Sequence, residues 1–193
     1  MTIILASASP RRAELLHQIG LEFVISPSDI DESVHQSESV EAYVQRMAIT
    51  KANVVKHASH SDDIIIAADT VVSIDGTILG KPVNESHCLD MLASLSGRVH
   101  MVHTAVVVSQ SDFIGQALSS SEVSFRDIST EEAKNYWLSG EPKDKAGGYA
   151  IQGLGGIFVS RLKGSYSGVV GLPIFELTQL LAQIDVSVFK VSQ

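Results

Sequence analysis

Cysteine occurs once in the 193 residues, at position 88. No disulfide can therefore close within the chain, and the composition fits a reducing compartment. Basic residues are scarce: 14 Lys and Arg stand against 22 Asp and Glu, a formal charge of −8. That balance excludes a broad electrostatic grip on nucleic acid, which needs a basic face. Long apolar runs are lacking too. The richest, Ile64-Ile65-Ile66-Ala67-Ala68, meets Asp69 at once, far short of the ~20 residues of a membrane span. The run Ile3-Ile4-Leu5-Ala6 is short, and Arg11 and Arg12 follow rather than precede it, which is not the order of a signal peptide. The expectation is a cytoplasmic protein with neither a membrane nor a nucleic-acid partner. Hydrophobic residues make up 45% of the chain, enough for a sizeable core and too many for disorder. The length suits one domain over residues 1–193, and no internal repeat, low-complexity tract or linker interrupts it.

Residues 2–7 read as a short buried strand. A helix follows, with Ser9 as N-cap, Pro10 in its first turn, Leu15, Leu16 and Ile19 on one face and Gly20 as its stop. Residues 22–26 read as a second strand, and Pro27 to Gln36 as a polar loop holding Asp29, Asp31 and Glu32. Val40, Tyr43, Val44, Met47 and Val54 recur at helical spacing between Val40 and His57. Residues 63–74 are rich in β-branched side chains, and Asp75-Gly76 is a hairpin turn returning the chain as Thr77 to Leu79. Asn84 caps a helix that ends at Gly97. Arg98 to Val108 and Ala117 to Phe125 are strands, and Ser129 with Glu132 makes a capping box for a helix stopping at Gly140. Gly147 to Gly171 is glycine-rich, and Pro173 opens a last helix to about Ile184. Helices interleaved with hairpin strands predict a mixed, twisted sheet with helices against it.

The strand-to-helix turn Ser7-Ala8-Ser9-Pro10-Arg11-Arg12 brings free N–H groups, two hydroxyls and two guanidiniums together. A helix N-terminus of that kind suits phosphate; the alternative is a capped surface helix with solvated arginines. Asp69 shares a strand face with Ile65, Ala67 and Val71. A carboxylate there needs an ionic partner, hydrogen bonds or a metal, unless it is a strand-end residue bonding a turn. Lys51 falls on the stripe of Val44 and Met47, where a lysine on its own snorkels to the edge. Lys81, in Gly80-Lys81-Pro82, and Glu32, in the acidic loop, complete a set. Glu32 and Asp69 suit a hard cation, and Lys51, Lys81, Arg11 and Arg12 suit phosphate oxygens. Magnesium takes one or two carboxylates plus substrate phosphates and water. Phosphoryl chemistry asks for charge neutralisation and positioning more than for a protein nucleophile.

Other signals fail. The stretch from Gly76 to Pro82 is one residue short of a Walker loop and has Pro82 in place of its Ser/Thr. His100 and His103 lie on opposite faces of one strand and cannot share a metal. Cys88, beside Met91 and Leu92, belongs to the core, and Tyr136 and Trp137 pack their helix.

Ser7-Ala8-Ser9-Pro10-Arg11-Arg12, Ala68-Asp69-Thr70-Val71-Val72, Gly80-Lys81-Pro82, Ser139-Gly140-Glu141-Pro142, Lys145-Ala146-Gly147-Gly148-Tyr149, Ile151-Gln152-Gly153 and Val170-Gly171-Leu172-Pro173 stand in this order. With them the chain closely resembles the Maf family of nucleoside triphosphate pyrophosphatases, from Leu5 to about Leu181. The resemblance implies an α/β fold with a mixed, strongly twisted β-sheet and flanking helices, in two lobes around a central cleft, similar to the inosine triphosphatase architecture. It implies a homodimer that hydrolyses a nucleoside triphosphate between the α- and β-phosphates, with a divalent cation, magnesium or manganese. Asp69 matches the general base and Glu32 a catalytic carboxylate near the metal, which these two would hold. Lys51 and Lys81 match lysines beside the phosphates, and Arg11, Thr70 and Gln152 match positions of substrate choice. Ser7, Ser9 and Arg12 complete the expected substrate-binding set. Asp69-Thr70 together with Ile151-Gln152-Gly153 looks like the subgroup acting on dTTP and UTP. The chain departs from the family pattern at Gly148 and Ala150, neither of them a proposed catalytic group. Whether Asp69 takes a proton, binds metal or does both stays open. From another class, a non-enzymatic nucleotide-binding regulator of septum formation would share the cleft. A general phosphatase would release orthophosphate instead of pyrophosphate.

Overall fold

The computed structural model describes residues 1–188. Strand β1 (Ile3–Leu5) leads into helix α1 (Pro10–Gln18), and β2 (Val24–Ile25) returns parallel to β1. After the acidic loop comes α2 (Val40–His57), whose N-cap Ser39 accepts from the Ala42 amide. β3 (Ile64–Ile74) turns at Asp75-Gly76, both at positive φ, into β4 (Thr77–Leu79). Asn84 caps α3 (Glu85–Leu95), and the expected capping box opens α4 (Thr130–Leu138) after the hairpin of β5 (Val99–Gln110) and β6 (Phe113–Phe125). Short 3-10 turns lead to β7 (Val159–Lys163), and α5 (Tyr166–Val170) and α6 (Ile174–Ala182) follow.

Three local expectations are revised. Ser9 caps α1 without a side-chain bond; its amide donates instead to Ser7 Oγ at 3.2 Å. The β5–β6 hairpin runs further than Val108 and Ala117, pairing Gln110 with Phe113 across Ser111-Asp112. No glycine marks that turn, although Ser111 takes a positive φ. The glycine-rich stretch contains a strand, β7, held by pairing with β6.

The strands form one mixed sheet in the order β2-β1-β3-β5-β6-β7, with β4 also on β3. β1 pairs parallel with β2 and β3, and the other pairings are antiparallel. The pleat sends alternate side chains of β3 to opposite faces. Ile64, Ile66 and Ala68 pack with Leu15, Leu16 and Leu177 under α1 and α6. Ile65, Ala67 and Val71 pack with Val44, Met47 and Ala48 under α2. Further along, Val72 and Ile74 enter a separate core with Leu92, Phe125 and Tyr136, below α3 and α4. Two lobes therefore share β3 and β5. β5 covers one edge of β3 from Ile65 to Ser73. On the other edge β1 pairs with Ile64 to Ile66, and β4 pairs with Val72 to Ile74. Among the described residues no strand lies beside residues 67–71 on that edge, and the cleft between the lobes opens there.

Candidate active site

The open edge explains how neighbouring residues reach one site. Asp69 and Thr70 point to opposite faces of the sheet, and both line the same cleft of about 670 Å³ because no strand lies alongside them. On the face of α2, Lys51 is buried and its Nζ donates to Asp69 Oδ1 at 2.6 Å. The same ammonium meets Glu32 Oε1 at 2.7 Å. Lys51 does not snorkel, because two carboxylates compensate its charge where it stands. Asp69 Oδ2 accepts no hydrogen bond from the described residues and is not sealed in the core. Burial by itself would raise the Glu32 pKa. The Lys51 hydrogen bond and charge outweigh it, with Lys81 and Arg12 adding to them, and hold Glu32 below the usual carboxylate range.

The acidic loop is fastened to α2. Tyr43 donates its hydroxyl to the Glu32 carbonyl at 2.8 Å. Arg46 donates Nε and one terminal nitrogen to the Glu38 carboxylate, each at 2.6 Å, and that terminal nitrogen also reaches the Ser33 carbonyl at 2.9 Å. Burial, then the charges of Asp69 and Glu32, push the Tyr43 hydroxyl up to about 12, so it stays a donor.

On the face of α1, Arg12 lines the cleft. Its guanidinium donates to the Gly171 carbonyl at 2.8 Å, Ser7 Oγ at 3.0 Å and Thr70 Oγ1 at 3.3 Å. These contacts brace the cleft wall. Arg11 stays on the cleft surface, 3.7 Å from the Asp144 carboxylate across the gap. Ser9 lines the cleft at the start of α1, and Lys81 lines it from the β4 arm. The carbonyl of Gly80 accepts from the Gly147 amide at 3.0 Å, which ties that arm to the turn bearing Lys145. Gln152 is exposed on the same cleft. All ten expected residues thus lie around one opening.

Sequence reasoning assigned no site role to Thr104, Lys145, Asp144 or Tyr43. Thr104 donates to the Gly168 carbonyl at 2.7 Å and lies 3.0 Å from Thr70 Oγ1. It sits opposite Thr70 only through β3–β5 pairing, so no local signal marks it. Lys145, ion-paired with Asp144, stands inside a segment quoted for the family resemblance. His100 bonds Tyr149 and His103 bonds Ser120, each on its own side of the sheet. Burial pushes the Cys88 thiol up to about 11, which leaves it inert. Among the described residues no group of three or more His, Cys, Asp and Glu gathers for a metal. Asp69 and Glu32 are the two carboxylates that meet at Lys51, while the Asp144 carboxylate is held by Arg11 and Lys145; a set that small suits magnesium, which keeps waters and takes phosphate oxygens.

The model of the Maf-like protein family matches residues 2–184. A dTTP/UTP pyrophosphatase of Methylobacillus flagellatus is 52% identical over 187 residues, covering 96% of this chain and 94% of its own. The dTTP/UTP pyrophosphatase of Acinetobacter baylyi is 48% identical over 180 residues, covering 93% and 98%. The Ham1 protein of Staphylococcus aureus overlays 67% of this chain and 73% of its own at a TM-score of 0.44 and 16% identity. With the family model spanning nearly the whole chain and relatives near half identity over the same length, this chain belongs to the family of Maf-like proteins.

Proposed function

We propose that this protein hydrolyses dTTP and UTP between the α- and β-phosphates, releasing the nucleoside monophosphate and pyrophosphate. One observation carries the reading: Lys51 is buried between Asp69 and Glu32 on a cleft of about 670 Å³, a size that takes a nucleotide. The rim of that cleft is basic, with Arg11, Lys81 and Lys145. The relatives' names support the choice of dTTP and UTP.

In this mechanism Asp69 Oδ2, which accepts from no donor among the described residues, takes the proton of the attacking water. The oxygen bonds to the α-phosphorus, the bridging bond to the β-phosphate breaks, and pyrophosphate leaves with that electron pair. Lys51 orients Asp69 and Glu32 and keeps Glu32 ionised. Arg11 and Lys81 hold phosphate oxygens, and Thr70 and Gln152 face the nucleoside. Asp69 and Glu32 would hold the divalent cation, magnesium or manganese, which when bound neutralises charge on the phosphate oxygens. The reading includes a single catalytic domain that works as a homodimer in the cytoplasm, with no nucleic-acid or membrane partner. No described helix is long and apolar enough to cross a membrane.

The test is product analysis with dTTP, UTP, CTP, GTP and ATP in the presence of magnesium. Monophosphate and pyrophosphate from dTTP and UTP, lost with chelator, are expected. Orthophosphate as the first product, or nucleotide binding without turnover, overturns the reading. Sedimentation at micromolar concentration checks the homodimer.

A further inference from the structure

Gln152 makes no side-chain hydrogen bond with the described residues, so its direction is set by the loop that carries it. That loop is built on two side chains of the second lobe. Glu141 Oε1 accepts from the Tyr136 hydroxyl at 2.7 Å and from the Gly155 amide at 3.0 Å. Glu141 Oε2 accepts from the Leu154 amide at 2.9 Å. The Tyr136 oxygen accepts in turn from the Ala150 amide at 3.2 Å. Gln152 is therefore anchored on both sides: at Ala150 before it, and at Leu154 and Gly155 after it. The 3-10 turn Leu154–Phe158 has no cap from its own N-cap, Gly153; Glu141 caps it from a distant part of the chain.

The glycines of the loop give independent support. A Cβ on Gly153 would stand 2.2 Å from Glu141 Oε2, and one on Gly155 would stand 2.5 Å from the Tyr136 oxygen. Neither position is in the left-handed region, so a side chain there would act by close approach: it would push the Glu141 carboxylate or the Tyr136 hydroxyl off its bonds, and at Gly155 it would also crowd the Ala150 backbone. Burial by itself would raise the Glu141 pKa; its bonds from Gly155, Tyr136 and Leu154 outweigh it and lower the pKa. Burial, then the bond to Glu141, raises the Tyr136 pKa, so the phenol stays protonated.

We propose that Glu141, acting through Tyr136 and the loop over residues 150–156, is the positioning residue that sets base selection by fixing where Gln152 presents its amide. The proposal rests on the pyrimidine-nucleotide reading of the cleft. A uracil or thymine edge offers both donors and acceptors, and the amide of Gln152 can match it only from a fixed position.

Glu141→Gln is the test. Its carbonyl can keep Tyr136 and Gly155, but its NH2 then faces the Leu154 N–H, donor against donor. Amide hydrogen exchange at Leu154 should speed up about tenfold, the equivalent of one lost charge-assisted hydrogen bond. The ratio of kcat/KM for dTTP over CTP should fall about tenfold, with kcat for dTTP changed less than about threefold. Tyr136→Phe, which keeps the Leu154 and Gly155 bonds, should shift the ratio the same way by less. Unchanged exchange overturns the proposal, as does an equal loss on both nucleotides. Gln152→Ala, measured alongside, must also shift the ratio, and an unshifted ratio there overturns the link to Gln152. If the wild-type protein turns over neither dTTP nor UTP, the activity reading has failed separately. The ratio of Kd for dTTP and CTP then decides, and equal ratios in wild type and Glu141→Gln overturn the proposal.

Discussion

Lys51 donates to Asp69 and meets Glu32 at once, so removing its charge alters both carboxylates together. Burial is the largest influence on Glu32 and acts upward, and Lys51 is what reverses it. Lys51→Met should therefore raise the Glu32 pKa. A carboxylate that must be ionised then fails at higher pH, so the acid limb of kcat/KM should move up by about one unit or more. A limb that stays in place would remove Glu32 from the ionisations governing turnover. Asp69→Asn asks a narrower question. The amide oxygen still accepts from Lys51 Nζ, so the melting temperature should move by only a few degrees. Proton transfer is lost, and kcat should fall about 100-fold or more. Equal losses of stability and activity would make Asp69 structural. Asp69 was legible because a carboxylate on an apolar strand face demands a partner. Lys51 was legible on the buried stripe of its helix, but as a group for phosphate oxygens and not as the partner of Asp69. What Arg12 does was not legible: that it turns to Gly171 and Thr70 depends on contacts made far along the chain.

α2 sends five side chains in three directions: Lys51 into the site, Met47 and Val44 into the core, and Tyr43 and Arg46 to the acidic loop. Although Val54, read on the same stripe, is exposed, the extent of α2, about Val40 to His57, was legible from the spacing of Val40, Tyr43, Val44 and Met47. β7 was not, because residues 159–163 carry little apolar pattern and owe their strand to β6, with Val123 beside Leu162. The loop bearing Glu32 depends on the helix for its place. Arg46→Met removes the contacts to Glu38 and to the Ser33 carbonyl, leaving the Tyr43 hydrogen bond and the Lys51–Glu32 ion pair as ties. KM for dTTP should rise about three- to tenfold, while kcat falls less, since the Lys51–Asp69 pair is untouched. Glu38→Gln should reproduce the direction of that change. Steady-state kinetics indistinguishable from wild type in both variants would show that the loop holds Glu32 without Arg46.

The mixed sheet was legible from hairpins interleaved with helices, but the two lobes came only through the family resemblance. The reason is that the gap between β1 and β4 on the edge of β3 is a property of pairing, not of any one segment. Each lobe consequently has its own core and its own sensitivities. In the second lobe His100 is 2% exposed, set edge-on to Phe125 and Tyr149, with one ring nitrogen on the Tyr149 hydroxyl and Nδ1 without a partner among the described residues. Burial pushes its pKa down to about 4. The unfolded chain keeps the ordinary value near ~6.5, so below that pH the unfolded state binds a proton that the folded state refuses. Stability from the neutral ring is complete above the unfolded pKa and drains away as pH falls towards about 4. The loss across that window is on the order of 3 kcal/mol. Glu38 and Glu132, each lowered to about 2, lose their contributions only below their ordinary range, so the windows separate. Urea unfolding of wild type between neutral pH and the mid-fours should show falling free energy. His100→Gln, which can still bond Tyr149 and does not titrate, should flatten that fall. Parallel slopes for the two proteins would place the acid sensitivity outside the second lobe's core.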